Sequence, residues 1–315
     1  MENKINNFLI KYKKPITIII FVLIIVLFIT ILLSFTKRKI KEVSTPVAKE
    51  NITQENTEPE KAQKKPKVEK AYSVTDKYPV YKKSEKNIKI PVLIYHAFQS
   101  TLPPDDKYKL FVTSEKFEEQ IKALVDDGYT FIAFEDLIKY NNEQLGLPEK
   151  VVLITMDDGW EGEYRDAYPI LLKYNLKATI FIVNDLMGTP GYMNWDQAKE
   201  MYNGGLVKIH THGKKHIEYS QVAKSTLVQD VTYSQNKIDE MLGEPQEKIF
   251  AYPSGKYSAA SISWLKEIGF DVQVLTKYGT VNSSANLDLT NIGRIRCEQT
   301  TTGKHILDVI NNTSL

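Results

Sequence analysis

Three short windows of this 315-residue chain hold the residue types that could do chemistry. The first is Val151-Val152-Leu153-Ile154-Thr155-Met156-Asp157-Asp158-Gly159-Trp160, an apolar run that ends in two adjacent carboxylates and a glycine. Neighbouring side chains of an extended segment point to opposite faces. Asp157 and Asp158 are therefore expected to do different jobs, such as general base and metal ligand. The plainer alternative is a solvated turn, for which Asp-Asp-Gly is well suited.

The second window is Ile209-His210-Thr211-His212-Gly213-Lys214-Lys215-His216, which gathers three of the chain's five histidines behind an apolar stretch. His212 and His216 are four apart and would share one face of a helical turn, an arrangement common for a divalent metal. His210 and His212 are two apart and would share a strand face instead. The spacing alone leaves the ligand pair open. The third window, Phe250-Ala251-Tyr252-Pro253-Ser254-Gly255, reads as a strand and a tight turn whose backbone N–H groups could face an oxyanion. Upstream, Pro91-Val92-Leu93-Ile94-Tyr95-His96 places a histidine at a strand end, where it could act on a substrate or simply cap or pack.

Composition narrows the chemistry. A single cysteine, Cys297, excludes a disulfide framework and a zinc site built from several thiolates. Any metal must then be held by histidine and carboxylate. A net charge of +2 gives no basis for broad capture of nucleic acid. Phosphate-binding glycine loops are absent, and so is the Gly-x-Ser-x-Gly elbow of many serine hydrolases. No obligate protein partner is indicated.

The elements that must position these windows alternate between strand and helix. Strands are expected over 90–95, 151–156, 178–183, 206–209, 249–251 and 270–274. Helices are expected from Ser114 (as cap) to Gly128, from Pro169 to Tyr174, and over 195–202, 221–242 and 259–268. The first of these carries the stripe Phe117, Ile121, Leu124 and Val125. Such alternation implies a parallel sheet, as an α/β barrel or an open doubly wound sheet, with function at the C-terminal strand ends.

Residues 15–36 contain no charge and are almost wholly aliphatic or aromatic. Twenty such residues in a helix span about 30 Å, the thickness of a bilayer's hydrocarbon core. This run is read as an uncleaved membrane anchor, one transmembrane helix with residues 1–14 cytoplasmic. Residues 37–87 are rich in Lys, Glu, Thr and Pro and read as a flexible, disordered linker. Residues 88–315 form the folded domain. Charges flank the anchor almost equally, so its orientation follows from the function expected of that domain rather than from the positive-inside rule.

At these windows the chain resembles the polysaccharide deacetylase family, also called the NodB-homology or carbohydrate esterase family 4 domain. Thr155-Met156-Asp157-Asp158-Gly159 looks like its Thr-Phe-Asp-Asp-Gly motif, with Met156 for Phe. His212-Gly213-Lys214-Lys215-His216 looks like its His-Ser/Thr-x-x-x-His motif, with Gly213 in second place. Ala251-Tyr252-Pro253-Ser254-Gly255 looks like its Arg-x-Pro-Tyr-Gly motif, lacking both Arg and Tyr. The Tyr95-His96 element and Trp195-Asp196-Gln197 resemble the branch that contains the poly-N-acetylglucosamine deacetylases. The likeness runs from about Ile90 to Arg296.

The resemblance implies a distorted, incomplete (β/α) barrel that is NodB-like. It implies Asp157 as general base and Asp158, His212 and His216 as ligands of a divalent metal, usually zinc, with cobalt or nickel in some members. It favours His212 over His210. It implies His96 as general acid and places Ser254 and Tyr252 beside the substrate or oxyanion. The family's third-motif Arg normally orients the base. Ala251 occupies that place here, so Arg294 or Arg296 is the candidate replacement. His305, in a terminal helix, does not match the family's later histidine motif. The implied activity is release of acetate from N-acetyl groups of a carbohydrate polymer such as peptidoglycan or poly-N-acetylglucosamine, by a domain outside the cell. The alternatives are an O-acetyl glycan esterase using the same site, a glycan-binding protein that has lost catalysis, and a structural anchor.

Overall fold

A computed structural model of the chain describes residues 87–278 and 281–314. The anchor expected over 15–36, the N-terminus before it and the linker up to residue 86 lie outside the described residues. Among the described residues, no helix is long and apolar enough to cross a membrane.

Seven strands make the centre: β1 Val92–Tyr95, β2 Val151–Asp158, β3 Ala178–Ile182, β4 Val207–Thr211, β5 Ile249–Ala251, β6 Val272–Tyr278 and β7 Ile292–Arg296. Every neighbouring pair is parallel, in the order β1-β7-β6-β5-β4-β3-β2. Pairing of β2 with β1, from Val92↔Leu153 to Tyr95↔Met156, closes the ring. The result is a barrel with one strand fewer than the eight of the (β/α)₈ fold. It is distorted where β6 and β7 slip register between Val274 and Tyr278. The open doubly wound alternative is thereby excluded.

Strand residues alternate between two buried clusters, as a closed pleated wall requires. Leu93, Ile154, Met156, Ile180, Ile182, Val207, Ile209 and Ile295 face outward. They meet the apolar stripes of the helices α1 (Ser114–Asp126), α3 (Tyr168–Tyr174), α4 (Trp195–Asn203), α5 (Lys224–Leu242) and α7 (Gly303–Asn312). Val92, Leu153, Phe181, Ile249, Ala251, Val272, Val274 and Ile292 fill the ring, together with Phe134 and Leu137 of the helix α2 (Phe134–Asn141). The helix α6 (Ala259–Glu267) packs Leu265 against Phe250 and Tyr252.

The expected strands and helices appear with small shifts. Thr113, not Ser114, caps α1, accepting from the Lys116 amide at 3.2 Å. The long helix begins at Lys224 rather than 221. The helix α2, the strand β7 and the short strands Ala97–Gln99 and Phe111–Thr113 were not expected.

Candidate active site

The C-terminal ends of the strands carry the three chemical windows to one mouth of the barrel. Asp157 ends the inward face of β2 and is 2 % exposed. Opposite it, the fully buried Arg294 of β7 donates from Nη1 to Oδ1 at 2.7 Å and from Nη2 to Oδ2 at 2.8 Å. The guanidinium is itself fixed: Nη1 also reaches Thr155 Oγ1 at 3.2 Å, and Nε donates to the Leu275 carbonyl at 2.9 Å. That carbonyl lies in the stretch where β6 slips register against β7. Burial alone would raise the Asp157 carboxyl. The charge and hydrogen bonds of Arg294, with the nearby His212 and His96, together outweigh it, and Asp157 stays below the usual carboxylate range.

Of the two arginines expected as candidates, Arg294 is the one in contact with Asp157. Arg296 sits two residues on, at the cavity rim, where its guanidinium donates to the Tyr108 carbonyl and pairs with Glu298 at 3.1 Å. The Arg294 side chain thus reaches Asp157 from β7, one strand beyond the neighbouring β1, while Ala251 on β5 offers no guanidinium.

Asp158 would point away from Asp157 in a regular strand. Its φ of 86° turns it back, so both carboxylates line one cavity. Positive φ at a residue other than glycine is costly, and it collects at functional sites. Here it recurs at His216 (φ 55°) and Ser254 (φ 52°). Asp158 Oδ2 accepts from Trp160 Nε1 at 3.0 Å. Its buried Oδ1 takes no hydrogen bond. Instead it faces His212 Nε2 at 3.5 Å and His216 Nε2 at 3.3 Å.

These three groups fit a divalent metal. Tetrahedral zinc, with bonds of about 2.0–2.1 Å to nitrogen and oxygen, holds neighbouring ligand atoms about 3.4 Å apart. All three ligand atoms lie within 4.8 Å of one another. His212 Nδ1 meets the Ala251 carbonyl at 2.8 Å, which leaves Nε2 for the metal in the manner of many metal-bound imidazoles. Burial lowers the His212 pKa and favours the neutral ring a metal needs. His216 is raised, chiefly by Asp158, with burial opposing. Burial would raise Asp158, but the imidazoles of His216, His212 and His96 together outweigh it and hold the carboxyl far below its ordinary value.

The two histidines do not meet on a helical turn as the spacing suggested. His212 follows the end of β4, and the chain reverses through Gly213 at φ 87°. A Cβ on Gly213 would stand 2.5 Å from the Tyr219 hydroxyl. His210 shares the inward face of β4 but lies deeper, fully buried, paired with Glu135 of α2 at 3.1 Å. It is excluded from the triad, leaving His212 and His216.

A cavity of about 370 Å³ opens over these groups and is lined also by His96, Ser254, Thr276 and Arg296. His96 follows β1. Burial pulls its pKa down against the pull of Asp157 and Asp158. Ser254 lies in a turn that only glycine can complete: at Gly255 (φ 61°) a Cβ would fall 1.3 Å from Thr276 Oγ1. Among the described residues, no acceptor takes the Ser254 N–H. Tyr252 is not brought to the cavity. Its ring is fully buried beside Phe250, its hydroxyl donates to Gln273 Oε1 at 2.7 Å, and its amide is used by Val274. Residue 252 begins the turn with its side chain still in the outer wall, so of the two expected substrate-side residues only Ser254 lines the cavity.

The sequence reading missed the support of this loop. Asp230 of α5 accepts the Lys214 amide at 2.8 Å and the Tyr219 hydroxyl. Ser234, also of α5, bonds Thr211 and Asn184. Polar residues on the inner stripe of a long helix were the available signal.

The chain's likenesses agree with this geometry. The sequence pattern of the polysaccharide deacetylases matches residues 145–273. The polysaccharide-deacetylase homologue YxkH of Bacillus subtilis (strain 168) is 31% identical over 238 residues, covering 75% of this chain and 82% of that one. The poly-beta-1,6-N-acetyl-D-glucosamine N-deacetylase of Staphylococcus aureus (strain MRSA252) is 30% identical over 181 residues, which is 53% of this chain and 60% of that enzyme. Among solved structures, the Streptococcus pyogenes deacetylase PplD in complex with acetate superposes with a TM-score of 0.65 at 28% identity. That match covers 71% of this chain and 99% of the other.

Proposed function

The chain belongs to the polysaccharide deacetylase family of hydrolases, and on that premise we propose that it removes N-acetyl groups from a cell-wall or surface polysaccharide, releasing acetate, with a divalent metal, zinc first, as cofactor. The observation that carries this reading is the pairing of two unlike carboxylates at one cavity. Asp157 is clamped by Arg294, and Asp158 is open toward two imidazole nitrogens.

Asp158, His212 and His216 would hold the metal. When bound, such an ion acidifies a coordinated water and polarises a carbonyl. Asp157, kept ionised by Arg294, is placed to take the proton of the attacking water. The unpartnered Ser254 N–H points a donor at the charge that develops on the acetyl oxygen. His96 stands on the opposite strand end and is the group that protonates the leaving amine. Burial lowers its pKa, so it becomes an acid only on receiving the proton that Asp157 takes from the water, which it then passes to the amine.

A polymer substrate outside the cell fits the anchor read from residues 15–36, which would keep the domain at the membrane on the outer side. The staphylococcal relative acts on poly-beta-1,6-N-acetyl-D-glucosamine, and a β-linked N-acetylglucosamine polymer is the substrate proposed here. The test is acetate release from N-acetylglucosamine oligomers and from peptidoglycan, before and after metal stripping and zinc reloading. Release that returns with zinc supports the reading. Release indifferent to metal, or seen only with O-acetylated glycans, overturns it.

A further inference from the structure

The two adjacent carboxylates of the site are held by partners that differ in charge. Asp157 takes two hydrogen bonds from the cationic Arg294. Asp158 Oδ2 accepts instead from a neutral donor, Trp160 Nε1, at 3.0 Å.

The direction of that N–H is set by its surroundings. The backbone of Trp160 pairs with Tyr192 in an antiparallel bridge. On either side, Glu161 N donates to the Gly191 carbonyl at 2.9 Å and Met193 N to the Gly159 carbonyl at 3.0 Å. The indole stacks on the Tyr192 ring, with centroids 4.6 Å apart and planes 25° from parallel. Phe111 meets it edge-on at 5.8 Å. Two residues on, a Cβ at Gly162 would fall 1.9 Å from the Phe98 carbonyl, so the chain leaves this turn hard against the strand Ala97–Gln99. Trp160 is not among the residues that line the cavity, so its indole acts on the site through Asp158.

An ionised carboxylate offers about four lone-pair sites on two oxygens. Left to rotate, Asp158 could present either oxygen to an ion, or both. With Oδ2 engaged by the indole, Oδ1 is the oxygen left toward His212 Nε2 at 3.5 Å and His216 Nε2 at 3.3 Å. It is also the oxygen without a hydrogen bond. A tetrahedral ion takes one atom from each ligand. The donor's charge matters as well. A cation on Oδ2 would stand close to a divalent ion and repel it. The indole N–H only donates and carries no charge, so it orients Asp158 and leaves the whole negative charge for the metal.

We propose that Trp160 is a positioning residue for the metal: it holds Asp158 to ligation through Oδ1 alone and thereby sets the affinity of the triad for a divalent ion. This deepens the deacetylase reading, on whose ligand set it rests.

The test is the zinc affinity of the full chain, by competition with a chromophoric chelator, for the parent, Trp160→Phe, Asp158→Ala and the double variant. Phenylalanine keeps a ring for the stack and loses the N–H. Trp160→Phe should weaken zinc binding by about 10–100-fold, the usual cost of removing the outer partner of a metal ligand. In the Asp158→Ala background the same change should move the affinity by no more than about twofold, because the indole then has no carboxylate to hold. A purely structural role would weaken zinc by one factor in both backgrounds, and that result overturns the proposal. So does parent affinity in Trp160→Phe. If the metal-free melt shows that Trp160→Phe does not fold, Tyr192→Leu replaces it, since it removes the ring that aims the indole and keeps the N–H. Zinc should then weaken in the parent background and not in Asp158→Ala, while Tyr192→Phe binds as the parent does; parent affinity in Tyr192→Leu overturns the proposal. Zinc binding that survives Asp158→Ala undiminished would sink the ligand set and the role of Trp160 with it. A site that depends on Asp158 but is indifferent to Trp160 would sink the role of Trp160 alone.

Discussion

Arg294 and Asp157 meet side-on, two N–H donors on two carboxylate oxygens at 2.7 and 2.8 Å, with neither residue more than 2 % exposed. The fork supplies both charge and direction. It keeps the carboxylate ionised in a buried place and fixes which of its lone pairs face the cavity.

Breaking this pair should cost stability and move the pH profile together. Arg294→Ala leaves a buried carboxylate without its partner, a loss of about 3–5 kcal/mol. Asp157 lies below its ordinary pKa in the fold, so its stabilising effect is present above about pH 4 and fades as pH falls through the folded value. Without Arg294 the carboxyl rises, and the acid limb of kcat/KM should shift to higher pH. Urea melts and a pH–rate profile read both effects. Arg294→Lys, with the charge but not the fork, should fall between.

Metal should stabilise the fold through Asp158. A ligand at a thousand times its Kd adds about 4 kcal/mol. Thermal melts should therefore shift upward with zinc and return with a chelator. Asp158→Ala should melt at one temperature in both conditions. A chelator-sensitive melt in that variant would place the metal elsewhere.

Metal affinity should also depend on pH through His216. Asp158 raises this imidazole, against burial. In the metal-free protein the charged pair contributes stability fully present below about pH 6.5, the unfolded histidine value, and lost as pH rises through the folded one. Metal must displace that proton. Affinity should climb about tenfold per pH unit below the folded pKa of His216 and level off above it. Zinc competition titrations from pH 5.5 to 8.5 measure the slope, and a flat line would remove His216 from the ligand set.

Gly255→Ala should disrupt the turn that presents Ser254. The new methyl would overlap Thr276 Oγ1 at 1.3 Å, in a backbone region of φ 61° that disfavours it. A loss of about 2 kcal/mol or more is expected from overpacking and strain together. Urea denaturation reads the loss, and acetate release should fall with it because β6 and the Ser254 amide move together.

Much of this was legible in the sequence because chemistry and architecture shared the same residues. Apolar runs of β2 and β4 end directly in Asp157-Asp158 and near His212, so finding the strand end also found the site. Where the reading fell short, backbone geometry decided. Period-2 alternation could not foresee that Asp158 turns back at φ 86°, nor that Gly213, rather than a helix, joins His212 to His216. The choice between Arg294 and Arg296 needed the barrel's closure and the slipped register of β6, neither of which leaves a local trace. Tyr252 misled because its motif neighbours do face the cavity, while its own ring remains in the wall.

The proposed division of labour between the adjacent aspartates is probed by Asp157→Asn. The variant keeps the shape of the side chain but loses its basicity, and it leaves Asp158, His212 and His216 in place. Zinc content and acetate release from N-acetylglucosamine oligomers would be measured on the same preparation. Stoichiometric zinc is expected, with turnover reduced by about 10²–10⁴-fold, the usual worth of a positioned base. Retained turnover would show that Asp157 is not the base. Loss of zinc along with turnover would show that the two carboxylates do not divide their roles.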